Sequence, residues 1–590
     1  MFLLRYPVCR AAAVLFFLPA VFSCERQFDV AVIGAGAGGC AAALQAARSG
    51  AEVLLIEEGP WVGGMLTSAG VSAIDGNYRL RGGIFGEFCD SLAARYGGYE
   101  DLRTGWVSNI LFEPQVGEAV LGNMLAGEKN ICLLRNTPLL SARWERRFFR
   151  KDGNWRLDCG AGKYRARILV DCTELGDVAA ALGLPYDLGM DSSRDMGEDV
   201  APEEANDIIQ DLTYVIIARF YDRDMTISRP EGYDASLDEG CNPGGTDAML
   251  SYGLLPGGDV MLNWPINGND AYMNLVEAGK EERDSLLEEA KRISLGYLYY
   301  IQTELGHPEL GIAEGVYPSA DGLPLIPYHR ESRRIHGRTR FTVNDVFDPY
   351  RNNLYRTSVA VGDYPVDHHH RRYPCPDSLP DLHFYPVPSF SVPAGVLVPG
   401  ENPLQGDEDY SPLLVAEKSV SVSNIVNGAT RLQPVVMGLG QAAGAMAALS
   451  AAAGREATVR ELQEELLDAS CYLMPYQELE PGDKGFASVQ RVGLTGILRG
   501  RGESIGWQNR TLFRPDDPLL LRDLYLEEYY GREYVDSDRV VTLFELCRLL
   551  GVESPEALDR PLTRIDAAIL IDTLADPFHS RNIDWTGKLL

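Results

Sequence analysis

Residues 29–40 read DVAVIGAGAGGC and place Gly34, Gly36 and Gly39 directly behind a short apolar run. Residues 28–33 have the pattern of a buried strand, apolar without a break from Val30. Gly34-Ala35-Gly36-Ala37-Gly38-Gly39 fits G-x-G-x-x-G. Residues 40–48, CAAALQAAR, are small and helical, and residues 51–56 form a second apolar strand that ends at Glu57. Strand, glycine loop, helix and strand make a complete β-α-β unit. Gly34 permits the tight turn, Gly36 lets backbone approach a pyrophosphate, and Gly39 lets the helix lie close to the strand. The helix start, with Ala37 and Gly38, offers free N–H groups and a positive dipole end to phosphates. Glu57 stands 23 residues past Gly34, where a carboxylate binds ribose hydroxyls. A lone glycine fingerprint is weak evidence. Here its strand, helix, second strand and terminal acid agree, and together they predict a dinucleotide site.

A carboxylate at Glu57 disfavours a 2′-phosphate, which argues against NADP. Directly after it comes EGPWVGGMLT, residues 58–67. The pair Gly63-Gly64, followed by Met65, looks like the flavoprotein pattern in which backbone passes close to the ribityl chain and flavin. FAD is therefore expected rather than NAD. No second G-x-G-x-x-G follows a strand, and Cys159–Arg167 is too short for a phosphate loop. A separate NAD(P)H domain is not expected.

The rest of the chain bounds this reading. Its 590 residues are too many for one ordinary core, so two or three domains are expected. A formal net charge of −30 excludes a nucleic-acid binder, because most of the surface would repel phosphates. The opening is laid out like a secretory signal: Arg5 and Arg10, an apolar run, then Ser23-Cys24. Residues 1–23 read as a signal peptide. Val-Phe-Ser-Cys resembles a lipoprotein box, in which Cys24 would be lipidated and tether the chain to a membrane. The expected location is periplasmic or membrane-anchored; a misassigned start and a cytoplasmic protein is the alternative. Eleven cysteines include no CxxC pair, which argues against local zinc, iron–sulfur or dithiol centres; one or two disulfides stay open.

Several further stretches resemble one family. They are ILVDCTELGDVAAALGLPYDLGMDSS (168–193), YHRESRRIHGRTRFTVNDV (328–346), SVAVGDYPVDHHH (358–370) and the run from Leu413 to Gly454. With the glycine loop, they resemble the bacterial exported FAD-dependent oxidoreductases of the glutathione-reductase-like superfamily, some of which are labelled xanthan lyase. The resemblance runs from about residue 28 to 452. It implies an α/β fold with a discontinuous Rossmann-like FAD-binding domain at 27–186 and 390–455. An inserted α+β cap would occupy 187–389. It also implies that Thr173 and Asp177 contact FAD, although Cys172-Thr173-Glu174 stands where the family often has Ala-Thr-Gly. A small-residue helix over 438–451, with Gly440, Gln441 and Gly444, would aim its start at the flavin; a tightly packed core helix is the alternative. The lyase label does not suit a dinucleotide fold.

The implied activity is oxidoreduction of a small polar organic substrate, with hydride passing to or from the flavin and a separate electron acceptor. Histidine is the commonest proton mover near neutral pH. His368, Asp367 and Tyr364 are the candidate catalytic residues. Consecutive histidines on an extended segment point to opposite sides, and His368-His369-His370 lacks helical i, i+4 spacing, so no metal site is expected. Arg330, Arg333 and Arg334 could clamp an anion or pair with the chain's many acids. Residues 470–590 read as a small helical module, weakly similar to S-layer-homology repeats around Phe486, Val489 and Phe513-Arg514-Pro515. A surface or polysaccharide-associated protein with a structural FAD-type fold is the rival function.

Overall fold

The computed structural model describes residues 25–146, 153–400, 412–507 and 509–590. The signal-peptide reading of residues 1–23 and the lipid site at Cys24 lie outside the described residues. The main sheet is built on β1 (Arg26–Ile33), with α1 (Ala37–Arg48) crossing over to β2 (Val53–Ile56). β1 pairs in parallel with β2 on one edge, and β2 pairs in parallel with β3 (Ile131–Leu134). On its other edge β1 pairs in parallel with β6 (Gly162–Asp171). The first half of β6 also pairs antiparallel with β5 (Gly153–Cys159), which pairs in turn with β4 (Leu139–Arg146). Its second half pairs in parallel with the strand Leu413–Val415, more than 200 residues away in sequence. The glycine loop therefore opens between β1 and β6, at the carboxyl ends of parallel strands, where open α/β sheets bind ligands. Val30–Ile33 and Val53–Ile56 are buried on both faces, as the unbroken apolar runs require.

The small residues of α1 serve helix packing. The helix Gln433–Ala453 lies against it, so close that a Cβ on Gly440 would sit 2.1 Å from the Gly38 carbonyl oxygen. A Cβ on Gly444 would sit 2.1 Å from the Ala42 carbonyl oxygen. This helix is long and apolar enough to cross a membrane, but 83% of its apolar window is buried inside the protein, as befits a core helix. It corrects one expectation. The helix begins at Gln433 rather than Gly438, because Pro434 pre-sets the first turn. Gly440, Gln441 and Gly444 consequently lie two or more turns in. The glycines face α1, and the Gln441 side chain takes the Ile84 N–H and donates to Gln45. None of the three lines the cofactor cleft.

A second apolar core surrounds the antiparallel strands Ile216–Phe220, Val260–Leu262 and Leu310–Ile312 and the helix Lys280–Thr303. Ala290, Tyr297 and Ile301 of that helix are buried at the expected spacing. Beyond residue 470, the helices Phe486–Thr495, Leu543–Leu550 and Arg564–Leu570 contribute Phe486, Val489, Leu546 and Ala567 to the apolar cluster that also holds β1 and α1. All nine described cysteines are free.

Candidate active site

A cleft of about 970 Å³ opens at the glycine loop. Gly34, Gly36, Glu57, Gly64, Thr173 and Asp177 line it. Two of the glycines are fixed by close approach. Gly34 has φ +89°, and a Cβ there would sit 2.4 Å from the Cys172 carbonyl oxygen. A Cβ on Gly64 would sit 2.8 Å from the Gly36 Cα. Ala37, Gly38, Gly39, Gly63 and Met65 form the frame behind this surface: Gly63 N donates to the Ala35 carbonyl, and Met65 is buried.

Glu57 takes the Ala35 N–H on one oxygen and the Gly59 N–H on the other, each at 2.8 Å. It thus pins the loop after β1 to the loop after β2. Burial pushes its carboxyl up to about 7, against the downward pull of these two bonds. Thr173 is held by Asp171, whose carboxylate accepts from the Thr173 N–H and hydroxyl and from Ala179 N. That carboxylate orders the turn where the missing glycine was expected. Asp177 lies on the cleft wall paired with Arg333 at 2.8 Å and Arg283 at 3.4 Å.

One residue that holds the loop escaped the sequence reading. Glu417 follows the strand Leu413–Val415 and is fully buried, with a left-handed φ of +56°. Its Oε1 takes the Gly38 N–H at 2.7 Å, at the start of α1, and its Oε2 has no hydrogen-bond partner. Burial raises this carboxyl, and neighbouring Lys418 opposes the rise. The sequence shows only an acid just past a short apolar run, as Glu57 lies just past β2; the pairing of Leu413–Val415 with β6 is what brings it to the loop. An orphaned buried oxygen beside a Cβ-free cradle fits an FAD site. Gly36 and the start of α1 would take the pyrophosphate, and Glu57 would take sugar hydroxyls.

A second cavity, of about 530 Å³, shares walls with the cleft. Along residues 327–330 the side chains alternate: Pro327 and His329 line the cleft, while Tyr328 and Arg330 line the pocket. Val71, Ala73 and Asp75 extend the pocket wall from Ser68, which lines the cleft. Trp106, Tyr252, Trp264, Tyr364 and Trp507 add aromatic faces to the remaining wall. Asp75 is backed by its own N–H on Gln433, at the start of the long core helix. Its carboxyl has no hydrogen-bond partner among the described residues. Burial, helped by the Asp367 charge, pushes it up to about 7.

Tyr364 and Asp367 line this pocket as expected; His368 does not. His368 turns inward, with Nε2 at 3.0 Å from the Asn424 carbonyl and 3.2 Å from that of Ile425. Burial holds its imidazole well below the usual range. The correction follows from alternation along an extended segment: Asp367 and His369 share the pocket face, and His368 and His370 share the core face. The three arginines are paired with acids, Arg330 with Asp270, Arg333 with Asp177, and Arg334 with Asp191 and Glu331. Arg330 alone of them also reaches the pocket.

Comparison with known proteins adds to this geometry. The family model described as FAD dependent oxidoreductase matches residues 29–466. Sarcosine oxidase subunit alpha of Corynebacterium sp. (strain U-96) is 54% identical over 48 residues, which is 8% of this chain and 5% of that protein. The match therefore spans about a twentieth of the curated relative's length. Among solved structures, p-nitrophenol 4-monooxygenase PnpA from Pseudomonas putida DLL-E4 is 13% identical, covers 80% of this chain and 88% of its own, and has a TM-score of 0.32. OxyS anhydrotetracycline hydroxylase from Streptomyces rimosus is also 13% identical, covering 79% and 68%, with a TM-score of 0.32. Scores this low carry neither substrate nor reaction to this chain.

Proposed function

This chain belongs to the FAD dependent oxidoreductase family, and from that premise we propose that it oxidises a small organic substrate seated in the aromatic pocket, with Asp75 taking the substrate's proton. It is an FAD-dependent enzyme. Bound FAD supplies an acceptor for one hydride, that is, two electrons and a proton. The carrying observation is the shared wall at residues 327–330, whose alternate side chains face the cofactor cleft and the pocket. A molecule in the pocket thus lies one backbone away from the cleft. The aromatic walls offer apolar faces to a flat or ring-shaped body, while Arg330, Arg431 and Asp367 orient its polar groups. When a C–H leaves as hydride, the adjoining O–H or N–H loses its proton, and a carbonyl or imine results. Asp75, unbonded and facing the cavity, is placed to receive that proton.

The test is the visible spectrum of the purified chain before and after FAD is added. Retained flavin bands that bleach anaerobically with one of a panel of alcohols, hydroxy acids and amines support the reading. A colourless protein that takes up no FAD overturns it. A separate acceptor for the flavin's electrons and export through residues 1–23 belong to the same proposal. Export would show as a mature chain beginning at or after Cys24 by mass spectrometry. A full-length mass from its native host would refute it.

A further inference from the structure

We propose that Asp367, His369 and His383 bind a divalent transition-metal ion, zinc or a close relative, in the wall of the aromatic pocket. The backbone brings the three together. Val366 and Tyr385 exchange hydrogen bonds at 3.0 and 2.8 Å, and His368 N donates to the Leu382 carbonyl. This short antiparallel pairing sets Asp367 across from His383, and alternation places His369 beside Asp367. One donor atom from each residue lies within 4.8 Å of the other two. His369 Nε2 is 3.1 Å from Asp367 Oδ2, and His383 Nδ1 is 3.1 Å from Asp367 Oδ1. Such spacings suit ligands at neighbouring positions around one ion with bonds of about 2.0–2.2 Å.

Three details favour a metal over a simple hydrogen-bonded cluster. First, Asp367 Oδ1 is buried with no hydrogen bond of good geometry, although His383 Nδ1 lies 3.1 Å away. Second, His369 Nδ1 is 3.2 Å from Asp270 Oδ2, and Asp270 is itself held by Arg330. With an ion on Nε2, in place of the present contact of that nitrogen with Asp367 Oδ2, the Nδ1–H would donate to Asp270. A carboxylate behind a ligating histidine is the usual outer support of such sites. Third, Phe384 is held at φ +54°, a strained conformation for a bulky residue, with its ring packed on Trp507 and His383. Strain of this kind persists where neighbouring structure fixes it, commonly at functional sites. Here it sets the aim of His383. The Arg431 guanidinium, 3.4 Å from Asp367 Oδ2, opposes a cation. Against that charge, two imidazoles favour zinc, copper, iron or nickel over magnesium and calcium, which prefer all-oxygen sites.

Three protein ligands leave coordination positions open toward the cavity. On the reading that this pocket holds the substrate, an open position would take a hydroxyl or carbonyl oxygen and polarise it. That points to an oxygen-bearing substrate rather than a simple amine.

The test is isothermal titration of the chelator-stripped, FAD-loaded chain with zinc chloride, with magnesium chloride as control. The expected result is one zinc per chain and no comparable magnesium binding. His383→Ala, at a half-exposed position that the core does not need, should lose the zinc while keeping its circular dichroism and flavin content. Asp270→Asn should keep the stoichiometry and weaken the affinity about 10–100-fold. No zinc bound, or equal zinc in wild type and His383→Ala, overturns the proposal. The flavin content of the same samples is read separately. Flavin without zinc sinks only the metal, and zinc without flavin sinks only the redox reading.

Discussion

At the residue scale, the site divides into positions a motif can show and positions only packing can show. Gly34, Gly36 and Glu57 were legible because the chemistry of a dinucleotide demands those residue types at that spacing. Glu417 was not, because its partner Gly38 is 379 residues away in sequence. His368 and His369 cannot be told apart in the sequence, because three like residues in a row carry no sign of which face is buried. Asp75 has no motif at all; its cavity reveals it. Replacing Asp75 with Asn should lower kcat/KM by about 10²–10⁴-fold, the usual range for loss of a positioned acid–base group. Flavin content and spectrum should stay unchanged. The sign of the pH profile follows from the same carboxyl. It is pushed up to about 7, and only its ionised form accepts a proton, so activity should rise as pH passes through that region. Stopped-flow flavin reduction across pH 5.5–8.5 checks both, and an Asn variant that keeps the rise would clear Asp75. At Gly36 a Cβ would sit 2.6 Å from the Glu417 carboxylate. Gly36→Val should therefore abolish FAD retention while the chain stays folded by circular dichroism.

At the scale of elements, the β-α-β unit could be read outright, since strand and helix periods and the loop all agree over some thirty residues. The small-residue helix was also legible as an element; its neighbour was not, because sequence does not say which small-residue helix packs on which. The start of Gln433–Ala453 was open to inspection in Gln433-Pro434, but the later glycines drew the boundary inward. Those glycines matter for contact with α1. A methyl at Gly440 would meet backbone at 2.1 Å, which no side-chain rotation relieves. Gly440→Ala should therefore push the helices apart and cost roughly 1–3 kcal/mol or more, as overpacking does. Because Gly38 also carries the N–H bound by Glu417, FAD affinity should fall along with Tm. A variant with wild-type Tm and flavin retention would show that the two helices slide freely, against the packing described.

At the scale of the whole molecule, an acidic chain has folded several carboxyls into its interior. Burial pushes Glu57, Asp238 and Asp363 each up to about 7. In an unfolded chain they ionise near about 4. Between these values the folded state holds more carboxyl protons than the unfolded one, which lowers stability as pH rises. His329, His368 and His370, held low by burial, act the other way below about 6.5 but are outnumbered by the raised carboxyls, Asp75, Asp211 and Glu417 among them. Carboxyls shifted the other way, such as Glu461 at about 2 beside Arg455, act below the window and leave its slope intact. The net charge of −30 adds self-repulsion that grows as the same groups ionise. The apoprotein should therefore show a Tm that declines steadily from pH 5.5 to 8 at low salt. FAD changes the slope through one member of the set. Glu57 lines the cofactor cleft, and sugar hydroxyls donating to it would favour its ionised form. The FAD-loaded protein should thus lose less stability over the same range than the apoprotein, besides the uniform gain from binding itself. Differential scanning calorimetry of both forms at four pH values decides it. Parallel slopes would mean that the cofactor leaves the Glu57 carboxyl untouched, and the ribose contact assigned to it would fall.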